Sequence, residues 1–171
     1  MRLIAVDPGL KGWLVGFTEG EPIYNSPMPV TGSEIDMDAL RDCIRAYSPS
    51  AAVMEAPQTR PGHSSQSTSR TFYNAGVVAG ILSSTCPLYL VPASKWSTHL
   101  AQRFMHTVKE TDTKKRANAI AKILYPRLGI TPKTSDGYTD ALCIGFHYLW
   151  THGYIEKYQA EQSAQNIGKV S

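Results

Sequence analysis

The spacing of apolar side chains first changes period between residues 26 and 33, and that change restricts the fold more than any other feature of the chain. Before it, short apolar runs alternate with turn chemistry. Arg2 to Val6 is apolar and β-branched and stops at Asp7-Pro8-Gly9; Trp13 to Thr18 and Ile23 to Ser26 follow, with Glu19-Gly20-Glu21-Pro22 between them. Runs of this length bounded by Gly and Pro read as strands, and three in succession read as an antiparallel meander. After it, Ile35, Leu40, Cys43, Ile44 and Tyr47 fall largely on one helical face, with Ser33 placed as the N-cap. Ser48-Pro49 ends that helix, and a short apolar strand, Ala51 to Glu55, runs into Ala56-Pro57.

Further along, the pattern predicts a small-residue helix over 71–83 and a strand over 88–91. A short helix opens at Pro92-Ala93-Ser94-Lys95-Trp96, another covers 113–124, and a last one runs from Ser135-Asp136 through Tyr148. A meander followed by β-α-β units makes an α/β fold: a mixed five-stranded sheet with helices on both faces. Right-handed crossovers then set the 51–55 strand beside the 2–6 strand and parallel to it. With 171 residues, a single domain over 1–157 is expected, followed by a polar, flexible tail over 158–171.

Composition excludes more than it assigns. The net charge of +3 is weak evidence for a polyanionic partner. Cys43, Cys86 and Cys143 are far apart and outside any C-x-x-C spacing, which favours unpaired thiols and speaks against zinc. No apolar run reaches the roughly 18 residues of a membrane span, and Asp7 interrupts the first apolar run before a signal-peptide core forms. A cytoplasmic protein without membrane contact is the expectation.

The carboxylates carry the chemistry. Asp7 and Glu55 each end an apolar strand, and neighbouring strands lie roughly 4.8 Å apart, so both side chains can meet at one sheet edge. An unpaired carboxylate there is costly, and a divalent cation would compensate it. Taken singly, Asp7 before Pro-Gly also suits a plain turn, and Glu55 a plain strand end. Asp136 and Asp140, four apart at the start of the last helix, share a face. Helix capping accounts for Asp136 well; it accounts poorly for Asp140, a turn further in and beside an apolar run.

Three segments together, Ile4-Ala5-Val6-Asp7-Pro8-Gly9, Val53-Met54-Glu55-Ala56-Pro57 and Asp136-Gly137-Tyr138-Thr139-Asp140-Ala141-Leu142, resemble RuvC-type Holliday-junction resolvases, most closely the compact phage versions. Phe72-Tyr73-Asn74-Ala75-Gly76 and Val91-Pro92-Ala93-Ser94-Lys95-Trp96 add to the likeness, which runs from about residue 2 to 150. The resemblance implies an RNase H-like fold, with Asp7, Glu55 and Asp140 as metal-binding and catalytic acids. The fourth position departs from the pattern: Gly137 stands where many members carry an acid or histidine, and Asp136, one residue earlier, is the substitute.

By that resemblance the chain is a Mg²⁺-dependent endodeoxyribonuclease, Mn²⁺ able to substitute, that resolves four-way junctions and leaves 5′-phosphate and 3′-hydroxyl ends. Two ions roughly 3.5–4 Å apart would serve such hydrolysis, with Asp7 bridging them. Oxygen-only ligands suit these metals. Lys114, Lys115 and Arg116 at a helix start, Arg60 and Arg70 around the Ser-rich stretch, and Lys95 are candidates for the DNA backbone, against the plainer reading of a solvated face. Phe72 and Tyr73 would stack on opened bases, although core packing is the more ordinary reading of two aromatics. Of the histidines, only His63, in the loop after Glu55, lies near the expected site.

Flaps, forks or RNA–DNA hybrids are alternative substrates, and a catalytically silent junction-binding protein is the alternative outside enzymes. Actin-like ATPases share the fold but need paired Gly-rich phosphate loops, and none is present, so no nucleotide cofactor is expected. Symmetric resolution needs two sites, hence a homodimer, with the 71–83 helix as a candidate interface and packing on the sheet as its plainer role.

Overall fold

The computed structural model describes residues 1–59 and 64–155. The meander forms as β1 (Arg2–Asp7), β2 (Trp13–Thr18) and β3 (Glu21–Pro27). Next comes a two-stranded ribbon, β4 (Val30–Thr31) with β5 (Glu34–Ile35), then α1 (Met37–Tyr47) and β6 (Ala51–Ala56). The chain continues through α2 (Ser65–Ser83), β7 (Leu88–Pro92), α3 (Ala93–Arg103), α4 (Thr113–Leu124) and α5 (Asp136–Thr151). The main sheet has the order β3-β2-β1-β6-β7. β1 pairs antiparallel with β2 and parallel with β6, and β6 pairs parallel with β7, so the expected mixed five-stranded sheet is the one formed.

Strand β3 takes in Glu21 and Pro22, which were expected in the turn, and two helix starts also differ from the expectation. The cap of α1 is Asp36, not Ser33: its carboxylate accepts from the backbone N–H of Ala39 at 3.0 Å, while Ser33 sits in the turn of the β4–β5 ribbon. The second helix starts at Ser65 rather than Thr71, capped by Ser64, whose hydroxyl accepts from Ser67 N–H at 3.2 Å. A polar run of Ser and Thr reads as loop by composition. With a cap at its head and an apolar half packed on the sheet at its tail, it propagates as helix.

Strand alternation splits the core into two layers. Leu3 and Ala5 of β1 and Ala51 and Val53 of β6 face α3, α4 and α5, where they meet Trp96, Leu100, Ala117, Ile120 and most of the 141–149 segment. Ile4, Val6, Ala52 and Met54 face α1 and α2, against Leu40, Ile44, Val78 and Leu82. Helix α5 is buried on nearly every side because it lies between the sheet and the α3–α4 layer. Gly145 lets it come down on β1 and β2: a Cβ there would overlap the Phe17 ring and stand 3.0 Å from the Ala5 methyl.

Cys86 and Cys143 are buried and Cys43 is half-buried; all three are free thiols. No helix among the described residues is long and apolar enough to cross a membrane. The expected tail, 158–171, lies outside the described residues, as do Arg60 and His63.

Candidate active site

The same alternation that builds the core aims the acids. Asp7 continues the Leu3–Ala5 row and Glu55 the Ala51–Val53 row, so both belong to the face that α5 covers. Because Val6 pairs with Met54, one further step along the two parallel strands brings Asp7 beside Glu55 at their C-terminal ends. From the other side α5 begins at this edge, with Asp136 as its first residue and Asp140 one turn in. All four carboxylates line one cleft of about 710 Å³, with Lys11, Gly12, Trp96, Ser97, Asp112, Lys114 and Gly137 in its walls.

Close backbone approach holds this geometry. Gly12 packs so tightly on the Asp7-Pro8-Gly9 turn that a Cβ would overlap the Asp7 carbonyl oxygen. A Cβ on Gly137 would overlap the carbonyl oxygen of Lys11 and stand 3.1 Å from Asp7 Oδ2. That contact explains the glycine found where an acid was expected: this α5 sits too near the β1–β2 connection to carry a side chain at 137. Asp136 is not the helix cap, which is Ser135; its carboxylate pairs with Lys114 Nζ at 3.0 Å.

The electrostatics are those of a cluster short of positive charge. Burial, then the charges of Asp7, Glu55 and Asp136, raise the Asp140 carboxyl from 3.8 to about 8, with Lys114 opposing. A bound proton or a cation relieves such a cluster. Among the described residues, no three His, Cys, Asp or Glu side chains are drawn together into a ready-made metal cage. The donor set is nonetheless all oxygen, anionic and gathered around one space, which fits a hard divalent cation and not zinc.

Sequence expectations for the DNA-contacting residues divide. Lys114 lies in the cleft wall, whereas Lys115 and Arg116 are not among the lining residues. Arg70 lines an adjoining groove of about 470 Å³ that also includes Asp7, Glu55, Lys11, Gln58 and Asn74. Its guanidinium donates to the Ser33 carbonyl at 2.5 Å. Lys95 is exposed on α3 and faces His147 electrostatically rather than lining the cleft. Phe72 and Tyr73 are 42% and 62% exposed, so the core-packing reading of this pair is overturned; α2 buries Ala75, Val78, Ile81 and Leu82 instead.

Three features escaped sequence reading. Lys11, in the turn after Asp7, lines both clefts, and its place just after a strand-ending acid was the available signal. Trp96 Nε1–H donates to Glu55 Oε2 at 3.0 Å, which no spacing foretells. His99 and His147 meet through their Nδ1 atoms at 2.9 Å between α3 and α5.

No protein-family model matches the chain, and no curated protein matches it. Solved structures do. RuvC from Thermus thermophilus in complex with a Holliday junction substrate aligns at 15% identity with a TM-score of 0.65, over 90% of this chain and 95% of that one. A second Thermus thermophilus RuvC structure aligns at 16% identity with a TM-score of 0.59, over 90% and 98%. At such identity the shared property is the arrangement of the backbone, and by it the chain has the RuvC-type RNase H-like fold.

Proposed function

We propose that the chain is a Mg²⁺- or Mn²⁺-dependent endonuclease acting on four-way DNA junctions. One observation carries the reading: Asp7, Glu55, Asp136 and Asp140, from three separate elements, converge on one cleft, where burial and the other three charges raise the Asp140 carboxyl. The RuvC structure that aligns over 90% of the chain was solved with a Holliday junction substrate, which supports branched DNA as the partner.

In this reading Asp7, Glu55, Asp136 and Asp140 hold divalent cations, which would supply an activated water and charge stabilisation for phosphodiester hydrolysis. The chain's own residues do the rest. Glycines 12 and 137 let the backbone close around Asp7. Lys114 steadies Asp136 and adds positive charge beside the acids. Lys11 and Arg70 present cations along the adjoining groove, where a phosphate backbone would lie. The exposed Phe72 and Tyr73 on α2 offer faces for unstacked bases. The expected products are 5′-phosphate and 3′-hydroxyl ends, and a homodimer would supply the second site that symmetric resolution needs.

A cleavage panel tests this: labelled four-way junction, flap, fork and RNA–DNA hybrid, each with Mg²⁺, Mn²⁺ or chelator. Metal-dependent cleavage of the junction ahead of the other substrates is expected, and Asp7→Asn should abolish it while junction binding persists. Cleavage that survives chelation, or an active Asp7→Asn variant, overturns the assignment.

A further inference from the structure

Trp96 is 4% exposed and packs in the same layer as Leu100 and Val91, yet its indole N–H does not end on a backbone carbonyl of that core. It donates to Glu55 Oε2 at 3.0 Å. An indole is a donor with no acceptor and no charge. It can fix a carboxylate oxygen without neutralising it, whereas the Lys114 ammonium on Asp136 competes for the charge a cation would use. A hydrogen bond to an ionised acceptor is also about twice as strong as a neutral one.

The donor is rigidly mounted. Helix α3 is tied to α5 by the His99–His147 contact at 2.9 Å and by Arg103 stacked 3.6 Å over the Trp150 ring. Leu100, one turn after Trp96, is fully buried. Helix α5 carries Asp136 and Asp140, so α3 relates Glu55 on the sheet to the acids on the helix.

Resting on the metal-site reading above, we propose that Trp96 is a positioning residue for Glu55: its N–H fixes Oε2 and thereby sets the direction in which the other oxygen meets a divalent cation in the cleft. Outer contacts of this kind are typically worth 10–100-fold in metal affinity.

Two replacements remove the N–H while keeping an aromatic ring: Trp96→Phe, and a benzothienylalanine at position 96 that preserves the bicyclic shape. Mn²⁺ dissociation constants are measured by titration of the metal-free protein, with thermal unfolding beside them. The isosteric replacement should weaken Mn²⁺ binding about 10-fold and leave the chain folded, with a modest drop in melting temperature for the lost hydrogen bond. Phe should do the same with a small further loss of stability. Wild-type Mn²⁺ affinity in a folded isosteric variant overturns the assignment, and so does a wild-type chain that binds no Mn²⁺, which sinks the metal-site reading with it. A wild type that binds Mn²⁺ and loses affinity on replacement but cuts no junction upholds the Trp96 role and refutes the nuclease function alone.

Discussion

Replacing Asp140 by asparagine should stabilise the metal-free protein, the reverse of what most substitutions at a half-buried polar position do. Burial and the charges of Asp7, Glu55 and Asp136 hold the carboxyl at about 8 against an ordinary 3.8. The folded chain therefore keeps a proton that the unfolded chain releases across that window, and the contribution of this group to stability falls as pH rises from about 4 to about 8. The proton belongs to the cluster as much as to one residue. At about pH 7 the difference corresponds to roughly 4 kcal/mol against folding. Access of water to the cleft reduces it to about 2–4 kcal/mol. Asparagine keeps the shape and removes the charge, so its melting temperature in chelator should rise by about 4–16 °C near neutral pH, given roughly 2–4 °C per kcal/mol for a chain of this size. The gain should vanish near pH 4, where wild type is already protonated. Mg²⁺ should raise the wild-type midpoint and leave the variant nearly unmoved. Unfolding followed by circular dichroism across this pH range, with chelator and with Mg²⁺, measures all three effects. A variant no more stable than wild type near neutral pH, or a gain over wild type that does not shrink towards pH 4, refutes the argument.

Removing Lys114, Lys115 and Arg116 together should lower the magnitude of the salt slope of junction binding by about 2–3. It should cost little stability, since the Lys114–Asp136 pair is largely exposed and worth about 0–1 kcal/mol; an unaltered slope in a binding titration against salt would remove these residues from the interface. Gly137→Ala gains about 1 kcal/mol of helix propensity. It should still destabilise by about 1–3 kcal/mol and weaken metal binding, because its Cβ meets Lys11 and Gly12 backbone that cannot rotate away; a wild-type unfolding midpoint would show the approach to be loose. Burial, then His99, Lys95 and His152, lowers the His147 imidazole from 6.5 to about 4, so the contribution of His147 to stability should be intact above about pH 6.5 and be lost as pH falls towards 4, opposite in sign to that of Asp140. His147→Gln in the Asp140→Asn background should flatten that decline, and an unchanged acid limb in urea titrations would contradict it.

Much of the site was legible because its acids obey local rules. Asp7 and Glu55 end apolar strands, and strand alternation alone commits them to the face of the sheet that carries Leu3, Ala5, Ala51 and Val53. The spacing of Asp136 and Asp140 commits them to one side of α5. The start of α2 and the cap of α1 were misread for the opposite reason: Ser33, Asp36, Ser64 and Ser65 are all good cap residues, and which one caps depends on what the rest of the helix packs against. For Phe72 and Tyr73 the sequence leaves base stacking and the more ordinary core packing both open, and the structure leaves them exposed because the side of α2 that meets the sheet is filled by Ala75, Val78, Ile81 and Leu82.

Period, chain order and strand-ending carboxylates thus determined a mixed α/β sheet with acids at one edge, because they depend only on neighbours along the chain. Tertiary structure decided how the acids are held: the indole of Trp96 on Glu55, the ammonium of Lys114 on Asp136, and the glycine at 137 against Asp7. Each joins segments far apart in sequence, and hydrogen bonds and steric contacts act over a few ångströms. Only the packing distance between β1, α3, α4 and α5 brings such partners within reach.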